Sequence, residues 1–160
     1  MNKQQVLQRI IEKLEIDLDI ATRAAQTAYE TATHEENIAE NKYDTLGLEA
    51  SYLAAGQARR VEEIRQSLLL YQNLALKPFD EQRGIQNGDL ITLESASGST
   101  QRLFLGPDAA GLKISVQNLP VTVITGKAPL GQSLLGRLDG DEVQVTVNGA
   151  RQTFEITNIV

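Results

Sequence analysis

Apolar side chains in the first part of the chain recur in steps of three and four. Within residues 2–33 they are Leu7, Ile10, Ile11, Leu14, Leu18, Ala21, Ala25, Ala28 and Ala32, the period of one helix face. No Pro or Gly interrupts them. The stripe is large at its start and small toward its end, so a helix packed on it comes closer there. Ile16, Ile20 and Ala24 widen it on one flank. A second stripe runs Leu48, Leu53, Ala54, Ala58, Val61, Ile64, Leu68 and Tyr71. Gly47 and Gly56 weaken it by about 1 kcal/mol each against alanine. Pro78 disfavours helix at the residue before it, so this element is expected to end near Leu76. Between the stripes, Asn37 and Asn41 favour turns over helix interiors, and Asp44 or Thr45 suits an N-cap. Two helices of about 30 residues, roughly 45 Å each, are thus expected to form a long antiparallel α-helical hairpin, a coiled coil, over residues 1–76.

Residues 77–88, KPFDEQRGIQNG, hold one Pro, two Gly and four charges and read as a linker. Beyond it the texture becomes β. Short runs occur at residues 89–94, 101–105, 112–116, 121–124, 142–147 and 152–159, separated by turn formers, with one helical piece at 130–138. Asn148-Gly149 between two alternating runs is a hairpin signature. Residues 89–160 are therefore expected to form a small antiparallel sheet with a short helix, which makes the chain α+β.

The chain has 160 residues, 41% hydrophobic and 22% charged, and no cysteine. That leaves no disulfide or thiolate metal site and suits a cytoplasmic protein. No run of about 18 apolar residues occurs, and the charged N-terminus does not read as a signal peptide. The net charge of -6 argues against a broad nucleic-acid-binding face, so contact with DNA or RNA is expected only indirectly. The charge concentrates between the stripes: residues 33–52 hold Glu35, Glu36, Glu40, Asp44 and Glu49 against one base, Lys42. A hairpin presenting this segment at its end is a probe suited to a crevice in a large partner.

The C-terminal run from Ala128 resembles the end of the bacterial Gre factors, GreA and GreB. There Ser-Pro-ϕ-Gly-x-Ala-Leu-ϕ-Gly (ϕ aliphatic) leads into Gly-Asp-x-Val and two closing strands. Pro129, Leu130, Gly131, Leu134, Leu135, Gly136, Gly140, Asp141 and Val143 fill that pattern; Ala128 and Ser133 depart from it toward other small residues. The resemblance implies an FKBP-like C-terminal domain that docks on RNA polymerase beside its secondary channel, with Pro129, Leu130, Gly131, Leu134 and Leu135 as partner-binding candidates. It also implies an N-terminal hairpin with an acidic tip, acting as a monomer on the polymerase and not as an enzyme in its own right.

At the tip, Gre factors carry Asp-x-x-Glu-Asn-x-x-Tyr, with x-Ala-Ala after the Tyr, and the two acids help hold a magnesium ion in the polymerase active site. Placing Glu40-Asn41 on Glu-Asn puts Asn37 and Asp44 at the Asp and Tyr positions. Placing Tyr52-Leu53-Ala54-Ala55 on Tyr-x-Ala-Ala puts Thr45 and Leu48 at the acid positions. Neither alignment keeps both acids. Mg²⁺ prefers hard anionic oxygens, and asparagine offers only a neutral carbonyl. Glu36, Glu40 and Asp44 are the remaining catalytic and metal-ligand candidates, for a transient Mg²⁺ inside the polymerase complex and no stably bound cofactor. The alternative for them is solvated turn carboxylates that touch the channel without metal.

Three functions stay open: a regulator that occupies the polymerase secondary channel, a stimulator of transcript cleavage, and a coiled-coil adaptor unrelated to polymerase. Other features carry less. His34 lacks a second His or a Cys for a zinc site. Gly126-Lys127 lacks the other P-loop residues. Ser95, Ser97 and Ser99 have no neighbouring base and read as loop. An FKBP-like fold suggests prolyl isomerase activity, but only Phe104 and Phe154 supply aromatic rings after the linker. Arg59 and Arg60 suit either acids on the first helix or a partner surface.

Overall fold

A computed structural model describes residues 1–34 and 46–160. Two helices, α1 (Lys3–Thr33) and α2 (Leu46–Gln72), precede β1 (Leu90–Ser95), β2 (Thr100–Gly106), β3 (Lys113–Val116), β4 (Leu119–Thr125), α3 (Pro129–Leu134), β5 (Glu142–Val147) and β6 (Ala150–Ile159). Residues 13–69 form one compact unit, and residues 1–12 with 70–160 form the other. The start of α1 and the end of α2 share a unit, as do the remainders of both helices, so the pair runs antiparallel.

In the helical unit the buried apolar positions are Leu14, Ala21 and Ala28 on α1 and Ala50, Ile64 and Leu68 on α2. Along α1 the buried side chains pass from leucine to alanine, as the stripe predicts. The register of α2 differs from the expected one near the tip. Leu48 and Leu53 are 53% and 57% exposed, and Ala50 is buried instead. Buried and half-buried positions run Ala50, Ala54, Gln57, Val61, Ile64 and Leu68, alternating steps of four and three, a heptad seam. A seam narrowed by alanines on α1 admits alanine opposite and pushes leucine outward. The ion pairs along these helices, Lys13–Asp17, Asp19–Arg23, Arg60–Glu63 and Glu62–Arg65, all join residues three or four apart on one helix. They support helix more than pairing.

The second unit is a six-stranded sheet in the order β3-β4-β2-β1-β6-β5. It differs from the expected all-antiparallel sheet at one pairing: β2 and β4 are parallel, from Leu103↔Thr122 to Gly106↔Thr125. β3 pairs with β4 through a tight turn at Gln117–Asn118, both with positive φ. The β3–β4 hairpin adds to the sheet through β4, so β4 runs alongside β2 in the same direction. β5 and β6 form the hairpin that Asn148-Gly149 announces, with φ of 51° and 80° there.

The start of β1 and the end of β2 are buried on both faces. Ile91, Leu93, Leu103 and Leu105 enter one core with Ile85, Leu134, Val143 and Ile156. On the opposite face Leu90 pairs in register with Phe104, whose ring lies 6.5 Å from that of Tyr71 at the end of α2. Tyr71 is fully buried and donates its hydroxyl to the Asp108 carbonyl at 2.6 Å. Its ring occupies the space above Gly106, where a Cβ would lie 2.0 Å from the phenolic oxygen. α2 ends at Gln72, about one turn before the expected stop, with Leu74 bonded back to the Tyr71 carbonyl.

Residues 77–88 are part of this unit and not a linker between units. Ile85 is fully buried in the core and Phe79 packs against it. A buried ion pair joins the same region to α1: Lys3 Nζ lies 2.7 Å from Asp89 Oδ1, with the side chains 9% and 7% exposed. Lys3 also donates to the Lys77 carbonyl, and Asp89 Oδ2 accepts from the Gln86 amide at 2.8 Å. Asn2 and Gln5 cap α1 reciprocally, side chain to backbone in both directions.

Lys3→Met leaves the Asp89 carboxylate buried without its ion, and is expected to cost roughly 3–5 kcal/mol in urea denaturation, with partial recovery in Lys3→Met/Asp89→Asn. Tyr71 gives a second, pH-dependent test. Burial raises its pKa above the ordinary 10.0, so the folded state favours the neutral phenol. That stability is complete below pH about 10 and is lost as pH climbs toward the raised value. Tyr71→Phe is therefore expected to cost about 1 kcal/mol at neutral pH and to flatten the alkaline limb of the stability curve.

Candidate functional site

The segment from Thr125 to Val143 carries the partner-binding candidates. Ala128, in extended conformation, starts α3, and Pro129 occupies its first turn, where a missing N–H costs nothing. Gly131 lies directly on the preceding turn: a Cβ there would sit 1.9 Å from the Thr125 carbonyl oxygen. Leu134 points inward and is fully buried in the core. α3 then stops: Leu135 leaves helical geometry with a ψ of 128°, and Gly136 follows with a φ of 78°. This is four residues short of the expected Leu138.

Past α3 the chain is tied to the 84–85 segment. Gly136 N–H donates to the Ile85 carbonyl and Ile85 N–H to the Arg137 carbonyl, both at 2.9 Å. The two strands of this contact touch at Gly84, where a Cβ would lie 2.2 Å from the Gly136 oxygen. Asp141 closes the next turn, its Oδ2 accepting from the Leu138 amide at 2.9 Å. Gly140 N–H donates to the Ile156 carbonyl and Ile156 N–H to the Asp141 carbonyl, each at 2.8 Å. Val143 then enters the core.

The five candidates therefore divide. Gly131 and Leu134 are interior and hold the fold. Leu130 is half-buried against the core. Pro129 is exposed, and Leu135 is 41% exposed. Leu138, which periodicity assigns to the helix, lies past its end and is 40% exposed. Exposure of two leucines so near in sequence was not legible without knowing where α3 stops. Phe104 and Phe154 are taken up in packing: one is fully buried and the other lies on the core. Ser95, Ser97 and Ser99 hydrogen-bond to one another in the β1–β2 turn.

The acidic candidates Glu36, Glu40 and Asp44 lie outside the described residues, as does Glu35. Glu49 is described and exposed. Below the tip, Arg60 pairs with Glu63 of its own helix at 4.0 Å and not with an acid of α1. Glu62 is held below the ordinary carboxylate range first by the Gln66 side-chain amide and then by Arg65. Several large apolar side chains of the helical unit face solvent, among them Ile16, Ile20, Tyr29, Leu48, Tyr52 and Leu53. Among the described residues, no three His, Asp or Glu side chains gather as a metal site, and no helix is long and apolar enough to cross a membrane.

A long helix pair whose chain continues into a six-stranded mixed sheet with one short helix defines a two-unit α+β protein, and sequence relatives identify its family. Transcription elongation factor GreA of Desulfovibrio desulfuricans is 32% identical over 136 residues, which cover 82% of this chain and 76% of the relative. GreA of Syntrophus aciditrophicus is 28% identical over 120 residues, covering 71% and 70%. The chain belongs to the GreA/GreB family of transcription elongation factors. No protein-family model matches it. The crystal structure of GreA factor homolog 1 from Thermus thermophilus overlays on it with a TM-score of 0.40 at 18% identity, over 94% of each chain. That level adds nothing to the sequence relation.

The division of the motif is checked by paired substitutions. Leu134→Ala is expected to destabilise the protein by about 2–5 kcal/mol, and Leu135→Ala by less than about 1 kcal/mol, read as urea midpoints.

Proposed function

We propose that this chain is a cytoplasmic regulator of elongation that binds RNA polymerase as a monomer and enters its secondary channel with the acid-rich end of the helix pair. The observation that carries this reading is the relation to GreA at 32% identity across 82% of the chain. The helix pair supports it, since the segment joining α1 to α2 concentrates the carboxylates. Negative charge at the end of a narrow probe speeds encounter with a basic passage. On this reading Pro129 and Leu135 belong to the docking surface, and Leu130, Gly131 and Leu134 serve it by shaping α3. The family relation favours a polymerase partner over an unrelated coiled-coil adaptor.

A second reading is stimulation of the polymerase's own transcript cleavage. Glu36, Glu40 and Asp44 are oxygen donors of the type Mg²⁺ accepts, and a metal within the polymerase complex supplies an activated water. Asn37, Thr45 and Leu48 at the aligned acid positions favour channel occupancy over cleavage. On either reading any RNA cleavage is the polymerase's own.

A reconstituted backtracked elongation complex separates the readings. With Mg²⁺ and the wild-type protein, the regulatory reading expects binding without shortening of the RNA. Shortening that disappears in Glu36→Ala, Glu40→Ala or Asp44→Ala establishes cleavage and names the ligand. Failure of the protein to bind polymerase removes both. Leu135→Ala is expected to weaken binding about tenfold with its fold intact.

A further inference from the structure

We propose that the helix pair opens in two stages whose boundary lies within the helices: residues 13–33 and 46–69 open together, while residues 3–12 and 70–72 stay folded with the sheet. The contacts on the two sides of this boundary differ in kind. Below it, Val6, Ile10 and Tyr71 have no exposed surface. Lys3 is fixed by Asp89 and the Lys77 carbonyl, and Tyr71 by the Asp108 carbonyl. These anchors belong to the same compact unit as the sheet core.

Above the boundary, every buried apolar side chain of α1 beyond Leu14 is alanine. α2 contributes Ala50, Ile64 and Leu68, with Gly56 between them. The larger side chains Ile16, Ile20, Tyr29, Leu48, Tyr52 and Leu53 face water and contribute little to pairing. The ion pairs Lys13–Asp17, Asp19–Arg23, Arg60–Glu63 and Glu62–Arg65 on this stretch each join residues of one helix and support helix more than pairing. Local opening free energies follow buried apolar contact. Most helical stability in proteins comes from packing of the apolar face and not from propensity, so α1 and α2 lose structure together once the seam parts. The arrangement gives a probe that yields along its length without loosening its root. It does not depend on which partner the protein binds.

Hydrogen exchange of the full chain, under conditions that report opening equilibria, tests this. Amides of residues 14–33 and 48–69 are expected to exchange at least tenfold faster than those of residues 6–12, β1, β2 and β6. Gly56→Ala provides the cooperative readout. A Cβ at position 56 meets nothing closer than an Arg59 guanidinium nitrogen at 4.0 Å, so the substitution removes a helix-weakening residue at no steric cost. Exchange should slow about fivefold across both 48–69 and 14–33, and not in 6–12 or the sheet. Equal exchange along the whole of α1 overturns the proposal. Slowing confined to the turns around position 56 also overturns it.

Discussion

An ammonium group and a carboxylate 2.7 Å apart, both nearly closed to water, join the first turn of α1 to the start of β1. Such a pair adds little net stability, since each charge gives up its hydration. Its effect is on choice among arrangements. Any packing that separates Lys3 from Asp89 leaves a bare charge inside the protein, so the chain's beginning must return to this one place. Asp89 has further duties there: its second oxygen holds the Gln86 amide and its main-chain carbonyl accepts from Leu105. The helix root, the 77–88 segment and the two central strands meet at one residue. The opposite face of those strands closes under Tyr71.

The motif that relates this chain to its family proves to be mostly architecture. Gly131 lets α3 settle on the Thr125 carbonyl, Gly136 turns the chain toward Ile85, and the Gly140–Asp141 turn joins β6. Leu134 and Val143 fill the core. These residues are required to build the surface that carries Pro129 and Leu135. The motif therefore speaks of a shared scaffold and is silent on the chemistry of the carboxylates between α1 and α2. The identity of the family and the activity of the tip are separate questions, answered by separate residues.

Much of the fold was legible because its periods are simple. The threes and fours of α1 and the Asn148-Gly149 turn each have one economical reading. The register of α2 was misread near the tip because Leu48 and Leu53 are the more hydrophobic side chains there. Hydrophobicity does not record that an alanine-lined seam excludes leucine. The 77–88 segment has a loop's composition, and one isoleucine, Ile85, decides that it is packed. The parallel β2–β4 pairing depends on which edge the β3–β4 hairpin adds to, and strand patterns do not carry that. The Lys3–Asp89 pair is not legible in the sequence, because nothing local marks a partner 86 residues away. At the tip, the sequence names the carboxylates and leaves their geometry open.

Gly106 and Tyr71 share one volume. The missing β-carbon on the strand is filled by a phenol ring from the helix, and the hydroxyl continues to the next carbonyl. Gly106 is not free to gain a side chain while the ring keeps this place. A relative that acquires any side chain at the strand position must accept a smaller residue at the helix position, and with it a different seat for the root of the helix pair. The strand position thus sets the size of the helix residue that can anchor the root above it.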